Sequence, residues 1–261
     1  MERSFDGSVG RSYTIKTHFV LLMITELYHC TNIDGLFGII ASQTFQPSFC
    51  LEKADYLKNA MDFAFAMVSF ADLLPMEVEC HMEKFKSVAY FKMNKEWAIK
   101  NGIAPVVYYN SYNSPLSACI RLIIDKVVEE NEADNKMPTK FSNAVNILLS
   151  YLKQYKGCYW RARKNEWSEE TTFFTEREWR YIPLVENSEA YFLSPEEYNN
   201  EEFRNKKRQE LIDHDYVLHF SIDEVLEIGV SEESILKKLL TFYKVNSYSE
   251  KWFAKTKLIS L

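Results

Sequence analysis

The chain has 261 residues, of which 47% are hydrophobic and 15% aromatic, and this composition excludes a globally disordered or fibrous protein. A formal net charge of −6 argues against a strongly basic nucleic-acid-binding domain. The five scattered cysteines contain no CxxC pair, so they indicate neither a disulfide framework nor a zinc knuckle, and they suit a reducing cytoplasm.

The first residues are polar and contain glycine and serine, so we expect residues 1–22 to be a flexible or non-native leader. The apolar run 19–24 is too short for a membrane span or a signal sequence. No repeat, low-complexity segment or linker follows. Residues 23–261 are therefore expected to form one domain, without a membrane anchor and in the cytoplasm.

Taken in chain order, the apolar pattern predicts helices and strands that do not alternate strictly. The predicted strands are 24–29, 68–70, 88–93, 106–109, 173–182, 217–221 and 225–230. The predicted helices run through 34–40, 51–67, 94–101, 114–132, 139–151, 195–212 and 231–240. Asn94 and Ser194 are expected to cap helices. This order favours an α+β fold over a doubly wound sheet.

Two carboxylates stand close together in the predicted strand 173–182. Since side chains alternate along a strand, Glu176, Glu178 and Arg180 would share one face. Neighbouring like charges raise one another's pKa, which suits acid–base work or the stabilisation of a cation. The alternative is a solvated edge strand in which Arg177 and Arg180 balance the charge.

A second candidate element ends the first predicted strand in His29-x-Thr31, just before a helix. A histidine at a strand end can hydrogen-bond a ribose hydroxyl, and the threonine can support it or cap the helix. The alternative for His29 is a purely structural role. No GxGxxG, GxxxxGK[ST], HExxH or GxSxG occurs, which excludes the usual nucleotide-fold, zincin and hydrolase interpretations.

Together these segments resemble the ADP-ribosyltransferase superfamily. YHCTNIDGLFGII, residues 28–40, is similar to the first strand and helix of that fold, where a His-x-Thr/Ser element holds NAD. FTEREWRYIP, residues 174–183, is similar to the late strand that carries the catalytic glutamate in an ExE form. The first helix also resembles the DarT-like nucleic-acid ADP-ribosyltransferases. The resemblance implies a split β-sheet core with flanking helices.

More narrowly, the chain resembles the AbiG-type family of abortive phage resistance, AbiGi. The motifs occur in order over about residues 24–240: YHCT at 28–31, FADLLP at 70–75, KEW at 95–97, PVVY at 105–108 and EREWRYIP at 176–183. The chain departs from the family pattern in two places that could reshape the cofactor groove. Residues 87–93 lack the usual glycines, and FADLLP has an extra leucine. The family has also been labelled an antitoxin component, which leaves a non-enzymatic role open.

The reaction implied by the resemblance is glycosyl transfer from NAD through an oxocarbenium-like transition state, in which a carboxylate stabilises the positive charge. Glu178 would be the catalytic carboxylate, and Glu176 would orient or deprotonate the acceptor. NAD would be held as substrate by four residues, His29, Thr31, Tyr90 and Tyr108. For the two tyrosines, the alternative is plain packing in the core. No metal is expected.

The acceptor is predicted from residues 151–167, where basic and aromatic side chains interleave before Glu166. Basic groups neutralise phosphates while rings stack on unpaired bases, so single-stranded RNA or DNA is a reasonable acceptor, beside protein. The residues predicted to bind it are Lys156, Trp160, Arg161 and Arg163. The alternative is a solvated basic loop or a protein-binding surface.

The sequence thus predicts an NAD-dependent ADP-ribosyltransferase toxin of a bacterial phage-defence system, with a companion antitoxin. A second hypothesis is a non-catalytic, ADP-ribosyltransferase-like antitoxin or partner-binding module. A third is a nuclease that uses Asp72, Glu176 and Glu178 around a metal ion.

Overall fold

The computed structural model describes residues 25–54, 61–110, 114–132, 139–161, 166–184 and 192–259. The predicted leader, residues 1–22, lies outside this part of the chain. None of the helices described there combines the length and apolar character that a membrane span requires.

Nine α-helices occur in the described residues. They are α1 Ile33–Ser42, α2 Val78–Phe85, α3 Lys95–Lys100, α4 Pro115–Glu132, α5 Thr139–Ser150, α6 Pro195–Asn199, α7 Glu201–Asp213, α8 Glu233–Val245 and α9 Glu250–Lys255. Two 3₁₀ helices accompany them, Pro75–Glu77 and Phe173–Glu176.

The strands vary from two to eleven residues. They are β1 Glu26–Thr31, β2 Thr44–Phe45, β3 Ser48–Ala54, β4 Met61–Ala71, β5 Ala89–Asn94, β6 Ala104–Pro105, β7 Val107–Tyr109, β8 Leu152–Gln154, β9 Lys156–Gly157, β10 Trp160–Arg161, β11 Glu166–Trp167, β12 Thr171–Thr172, β13 Glu178–Tyr181, β14 Phe192–Leu193, β15 Leu218–His219, β16 Val225–Val230 and β17 Thr256–Leu258.

In the described part of the chain the main sheet has nine strands, seven of them in the order β17-β16-β5-β1-β4-β13-β6, with β3 and β14 also paired to β4. Its pairings are antiparallel except that of β16 with β17, which is parallel. Four two-stranded pairings complete the description. The predicted α+β class is confirmed.

Helices cover both faces of this sheet. On one face, Leu27, Phe70 and Phe91 belong to a core to which α1, α3, α8 and α9 contribute side chains. On the other face, Tyr28 and Tyr90 pack with the buried residues of α2. The strands between the two layers are therefore apolar on both sides, which is why β5 is buried nearly throughout.

The two helix caps predicted from the sequence, Asn94 and Ser194, are both present. Asn94 accepts hydrogen bonds from the backbone N–H groups of Glu96 and Trp97 at 2.8 and 3.3 Å and begins α3. Ser194 begins α6 with a capping box to Glu197. The predicted helix 195–212 is two helices, because Asn200 has an extended backbone that ends α6 and caps α7.

Two further segments differ from the prediction. The described parts of the predicted helix 51–67 belong instead to the paired strands β3 and β4, and its residues 55–60 lie outside the described residues. The pairing runs from Ser48 opposite Met67 to Ala54 opposite Met61. Residues 64–68 are all buried, so apolar and polar residues do not alternate along this part of β4. Without that alternation, the sequence pattern cannot distinguish a strand from a helix. The predicted strand 173–182 is shortened to β13, because 173–176 form a 3₁₀ helix and Arg177 takes a left-handed conformation with φ 42°.

Two glycines in this fold are expected to respond in opposite directions to replacement by alanine. A Cβ on Gly229 of β16 would lie 2.3 Å from Cζ of buried Tyr90, whose hydroxyl is held by Glu227. Gly38, inside α1, has no atom within 4 Å of that position. Gly229→Ala should lower the free energy of unfolding by about 1–3 kcal/mol. Gly38→Ala should raise it by about 0.5–1 kcal/mol.

Urea denaturation of the two variants beside the wild type measures both changes. Equal effects of the two alanines would contradict the close packing of Tyr90 against β16.

Candidate functional site

A cavity of about 1150 Å³ opens where β1, β3 and β4 meet, and α1, α2 and the segment β8–β10 complete its wall. The opening follows from the sheet register. Among the described residues, β1 pairs with β4 through Tyr28 and Ala71 alone, so the two strands diverge beyond that pair. The ring Nδ1 of His29 lies 2.9 Å from the carbonyl oxygen of Ser69 and bridges the strands beside this opening. This cavity is called the cleft below.

His29 lines the cleft, but its ring also packs in the core. Its ring packs against Phe45 and Phe70, with centroids 4.9 and 5.4 Å apart. Burial lowers the pKa of His29, although the hydrogen bond to the Ser69 carbonyl works in the other direction. The neutral ring therefore donates its Nδ1–H to Ser69 and acts as a structural bridge.

Thr31 lies at the end of β1, where α1 begins. Its hydroxyl oxygen occupies the space that a Cβ on Gly35 would need, at 2.1 Å. Gly35 therefore allows α1 to start directly against Thr31. Both His29 and Thr31 line the cleft, as the sequence predicts for residues that would hold a ligand there.

The carboxylate of Glu178 accepts four hydrogen bonds from protein groups. Oε1 accepts from Arg180 Nε at 2.9 Å and from Ser69 Oγ at 2.8 Å. Oε2 accepts from Lys153 Nζ at 2.5 Å and from a terminal nitrogen of Arg180 at 3.1 Å. A carboxylate has about four lone-pair positions, and here all are used by protein donors.

These contacts set the charge state of the cluster. Burial alone would raise the pKa of Glu178, but the charges of Arg180 and Lys153 and their hydrogen bonds hold it well below its ordinary value. Burial would likewise lower the pKa of Lys153, but Glu178, Glu176 and Glu52 raise it well above its ordinary value. Glu178 and Lys153 therefore stay ionised at neutral pH.

Glu176 joins the same cluster from the 3₁₀ helix. Its two oxygens lie 2.6 Å from Lys84 Nζ and 3.0 Å from Lys153 Nζ. Arg180, fully buried, also donates to Glu52 and to the carbonyl of Ser150, the latter at 2.6 Å. The ionic cluster is thus Glu52, Lys84, Lys153, Glu176, Glu178 and Arg180.

The two predicted halves of the site come from opposite faces of the sheet. Residues directly opposite in antiparallel strands point to the same face, so Glu178 shares a face with Ala71 and Tyr28. His29, next to Tyr28, points to the other face with Phe70. Both nevertheless line the cleft, because the sheet is open at this point.

The predicted tyrosines are not placed for stacking on a ligand in the cleft. Neither Tyr90 nor Tyr108 is among its lining residues in the described part of the chain. The hydroxyl of Tyr90 donates to Glu227, and burial raises the pKa of Tyr90. The hydroxyl of Tyr108 accepts from the backbone N–H of Glu178 at 2.9 Å. Burial raises the pKa of Tyr108 to about 12.

The predicted acceptor residues are divided by the structure. Trp160 and Arg161, in β10, line the cleft. Lys156, in β9, is exposed and is not among the lining residues that are described. Arg163 lies outside the described residues.

Sequence reasoning missed part of the ionic cluster. Lys153 was grouped with the basic run, although it follows buried Leu152 in a short strand, a setting in which lysine needs an acidic partner. Lys84 and Glu52 carried no such signal, because each is distant in sequence from the glutamates. Asp72 does not join these carboxylates but pairs with Lys95 at 2.6 Å. No group of three or more His, Cys, Asp or Glu side chains suited to a metal ion occurs in the described residues.

Comparison with known proteins supplies the family. Residues 43–231 match the family described as "Putative abortive phage resistance protein AbiGi, antitoxin". The chain belongs to the AbiGi family. It is also 26% identical over 223 residues to the "Abortive phage resistance protein AbiGi" of Lactococcus lactis subsp. cremoris, covering 77% of this chain and 87% of that protein. No solved structure matches it.

The matched region contains the whole ionic cluster but not His29 or Thr31. The resemblance to the AbiGi family is confirmed. The prediction of a toxin is wrong, because the family is described as an antitoxin. The ADP-ribosyltransferase-like core, the transfer reaction and NAD binding are tested by none of these comparisons and stay predictions.

The ionic cluster of this AbiGi protein is expected to contribute to stability. Glu178→Gln removes the charge that compensates buried Arg180 and Lys153, and breaking a buried pair in this way costs about 3 kcal/mol. The matched control is Glu233→Gln on α8, which removes an exposed ion pair with Lys237. It should leave the free energy of unfolding unchanged within error. Denaturant titration measures both, and an unchanged Glu178→Gln protein would contradict the role of the cluster.

The cluster should also make stability depend on pH. The folded pKa of Glu178 lies below that of an unfolded glutamate, which is about 4.3, so its contribution is present above that pH and is lost as pH falls. The wild type should therefore lose more stability than Glu178→Gln between neutral pH and about pH 3. Denaturation midpoints at a series of pH values test this. Parallel curves for the two proteins would show that Glu178 does not titrate in this way.

Proposed function

We propose that this chain is the antitoxin of a phage-defence system, a non-catalytic protein with an ADP-ribosyltransferase-like core that acts by binding a companion toxin. The family description as an antitoxin and the name of the lactococcal relative support the phage-defence setting. The split between β1 and β4, with Glu178 and His29 on the two sides of one cleft, supports the proposed core.

The observation that carries the non-catalytic role is the saturation of Glu178. A carboxylate that stabilises an oxocarbenium-like transition state must offer at least one oxygen to the substrate. Both oxygens of Glu178 already accept two hydrogen bonds each from Arg180, Lys153 and Ser69. Two adjacent cations would also oppose the development of positive charge on a bound ribose.

Glu176 is restrained in a similar way. It is buried, and it bridges Lys84 of α2 to Lys153 of β8. The two carboxylates therefore connect the 3₁₀ helix and β13 to elements on either side of them. In this proposal, they give the antitoxin a defined shape at the cleft, and the companion toxin recognises the folded protein.

The proposal predicts that toxin neutralisation survives loss of the carboxylates as long as the protein is folded. Cells expressing the companion toxin should be rescued by the wild type, by Glu176→Gln and by Glu178→Gln, at a temperature at which circular dichroism shows each variant folded. Co-purification with the tagged toxin should follow the same pattern. Rescue by the wild type and by neither folded variant would contradict a non-catalytic role.

The same proteins are tested for transfer with labelled NAD, using RNA, single-stranded DNA and cell lysate as separate acceptors. No label is expected on any acceptor. Label transfer that the folded Glu178→Gln variant abolishes would establish an enzyme and overturn the proposal.

A further inference from the structure

The outer part of the cleft is made by two segments that are distant in sequence. One is the end of α2, which contributes His81, Lys84, Phe85 and Lys86, and the other contributes Tyr159, Trp160 and Arg161. The rings of Phe85 and Tyr159 have centroids 6.2 Å apart and bring the segments together. These seven residues, all of which line the cleft, are called the cleft mouth.

Four of the described acidic residues line the cleft, Asp34, Glu52, Glu176 and Glu178, but none of them belongs to the cleft mouth. Lys84 directs its charge inward to Glu176. Lys86, which ends α2 in a left-handed conformation, has an exposed side chain. Arg161 forms an ion pair with exposed Glu166 at 3.2 Å, a type of contact that solvent screens, and a side-chain hydrogen bond with Tyr159. Two cations are therefore available to an anionic ligand.

Flat rings accompany these cations. Phe85 is 41% exposed, and its ring centroid lies 4.7 Å from that of His81 and 6.2 Å from that of Tyr159. Lys84 Nζ lies over the same ring, 5.3 Å from its centroid. The guanidinium of Arg161 lies 5.6 Å from the centre of the Tyr159 ring. Exposing a phenylalanine ring to water does not stabilise the fold, but the exposed ring offers a stacking surface to a planar group.

The ligand that matches this arrangement has flat groups joined by repeated negative charges. Unpaired bases and their phosphates have this chemistry, whereas an acidic peptide supplies charge without flat rings. A duplex hides its base faces and cannot stack on single rings. The volume of about 1150 Å³ is also larger than most small-molecule sites, which span roughly 300–1,000 Å³.

We propose that the cleft mouth binds single-stranded nucleic acid, with bases stacked on Phe85 and Tyr159 and phosphates against Lys86 and Arg161. This proposal does not rest on the proposed antitoxin role, and it involves no NAD. The site differs from the surface predicted from residues 151–167, since four of its seven residues come from the end of α2 and Lys156 is not part of it. Little preference among bases is expected, because stacking surfaces accept all of them.

The test is fluorescence anisotropy with labelled oligonucleotides of about twelve nucleotides, as single-stranded DNA, single-stranded RNA and duplex DNA, on the full-length protein. Both single strands should bind more tightly than the duplex. Phe85→Ala should weaken binding about tenfold, as expected for the loss of one stacked base. Lys86→Gln should weaken it less and should reduce the slope of log affinity against log salt by about 0.7.

Matched variants outside the cleft control for general effects. Phe141→Ala on α5 removes a ring that is 45% exposed, and Lys237→Gln on α8 removes an exposed charge. Neither should change the affinity. Loss of affinity in Phe141→Ala equal to that in Phe85→Ala would overturn the assignment of the site.

Three further outcomes would overturn the proposal itself. They are the absence of wild-type binding to either single strand at about 10⁻⁴ M, equal binding of duplex and single strand, and equally effective competition by a poly-glutamate peptide. The last would indicate a surface that recognises charge alone. Because the measurement uses the isolated protein, its failure would leave the antitoxin proposal untouched, and failure to neutralise a toxin would leave this site untouched.

Discussion

The site depends on the need to compensate one buried carboxylate. Glu178 cannot be buried in ionised form without partners, because removing a charge from water costs several kcal/mol. Arg180 supplies two hydrogen bonds from the same strand, and Lys153 supplies a third from β8. Since Arg180 and Lys153 have further acidic partners, compensation of one charge draws β3, β8, β13 and α2 into a single network.

This network links the fold to the proposed function. A transferase would hold the same glutamate in an open position, where one oxygen remains available to its substrate. Here the cations that stabilise the fold occupy both oxygens, and we propose that the cleft in front of them serves as a binding surface. The sheet separates next to the network, with His29 bridging to Ser69, so the cleft is open while the ion pairs of the cluster connect the elements of its inner wall. An antitoxin that is recognised by its shape benefits from such a wall.

Sequence patterns predicted the parts of the fold that depend on local chemistry. Asn94 and Ser194 cap helices because their side chains reach backbone N–H groups within a few residues. The segment 61–71 was misread in part, since β4 is covered on both faces and its apolar residues do not alternate. The sequence predicts Glu176 in a strand, but that strand begins only at Glu178, and Glu176 ends the preceding 3₁₀ helix. It reaches Lys153 even so, because the left-handed Arg177 turns the chain between the two glutamates.

The sequence by itself determined the α+β class, most helices, the AbiGi family motifs and the identity of the two glutamates as unusual residues. Only the tertiary structure decided what those glutamates do. Lys84, the partner of Glu176, lies 92 residues earlier in the chain, and Glu52 lies 128 residues before its partner Arg180, so no periodicity connects such positions. The same holds for the cleft mouth, where α2 and β10 meet. Charge compensation and ring contacts act through space, so their partners become visible only when the chain is folded.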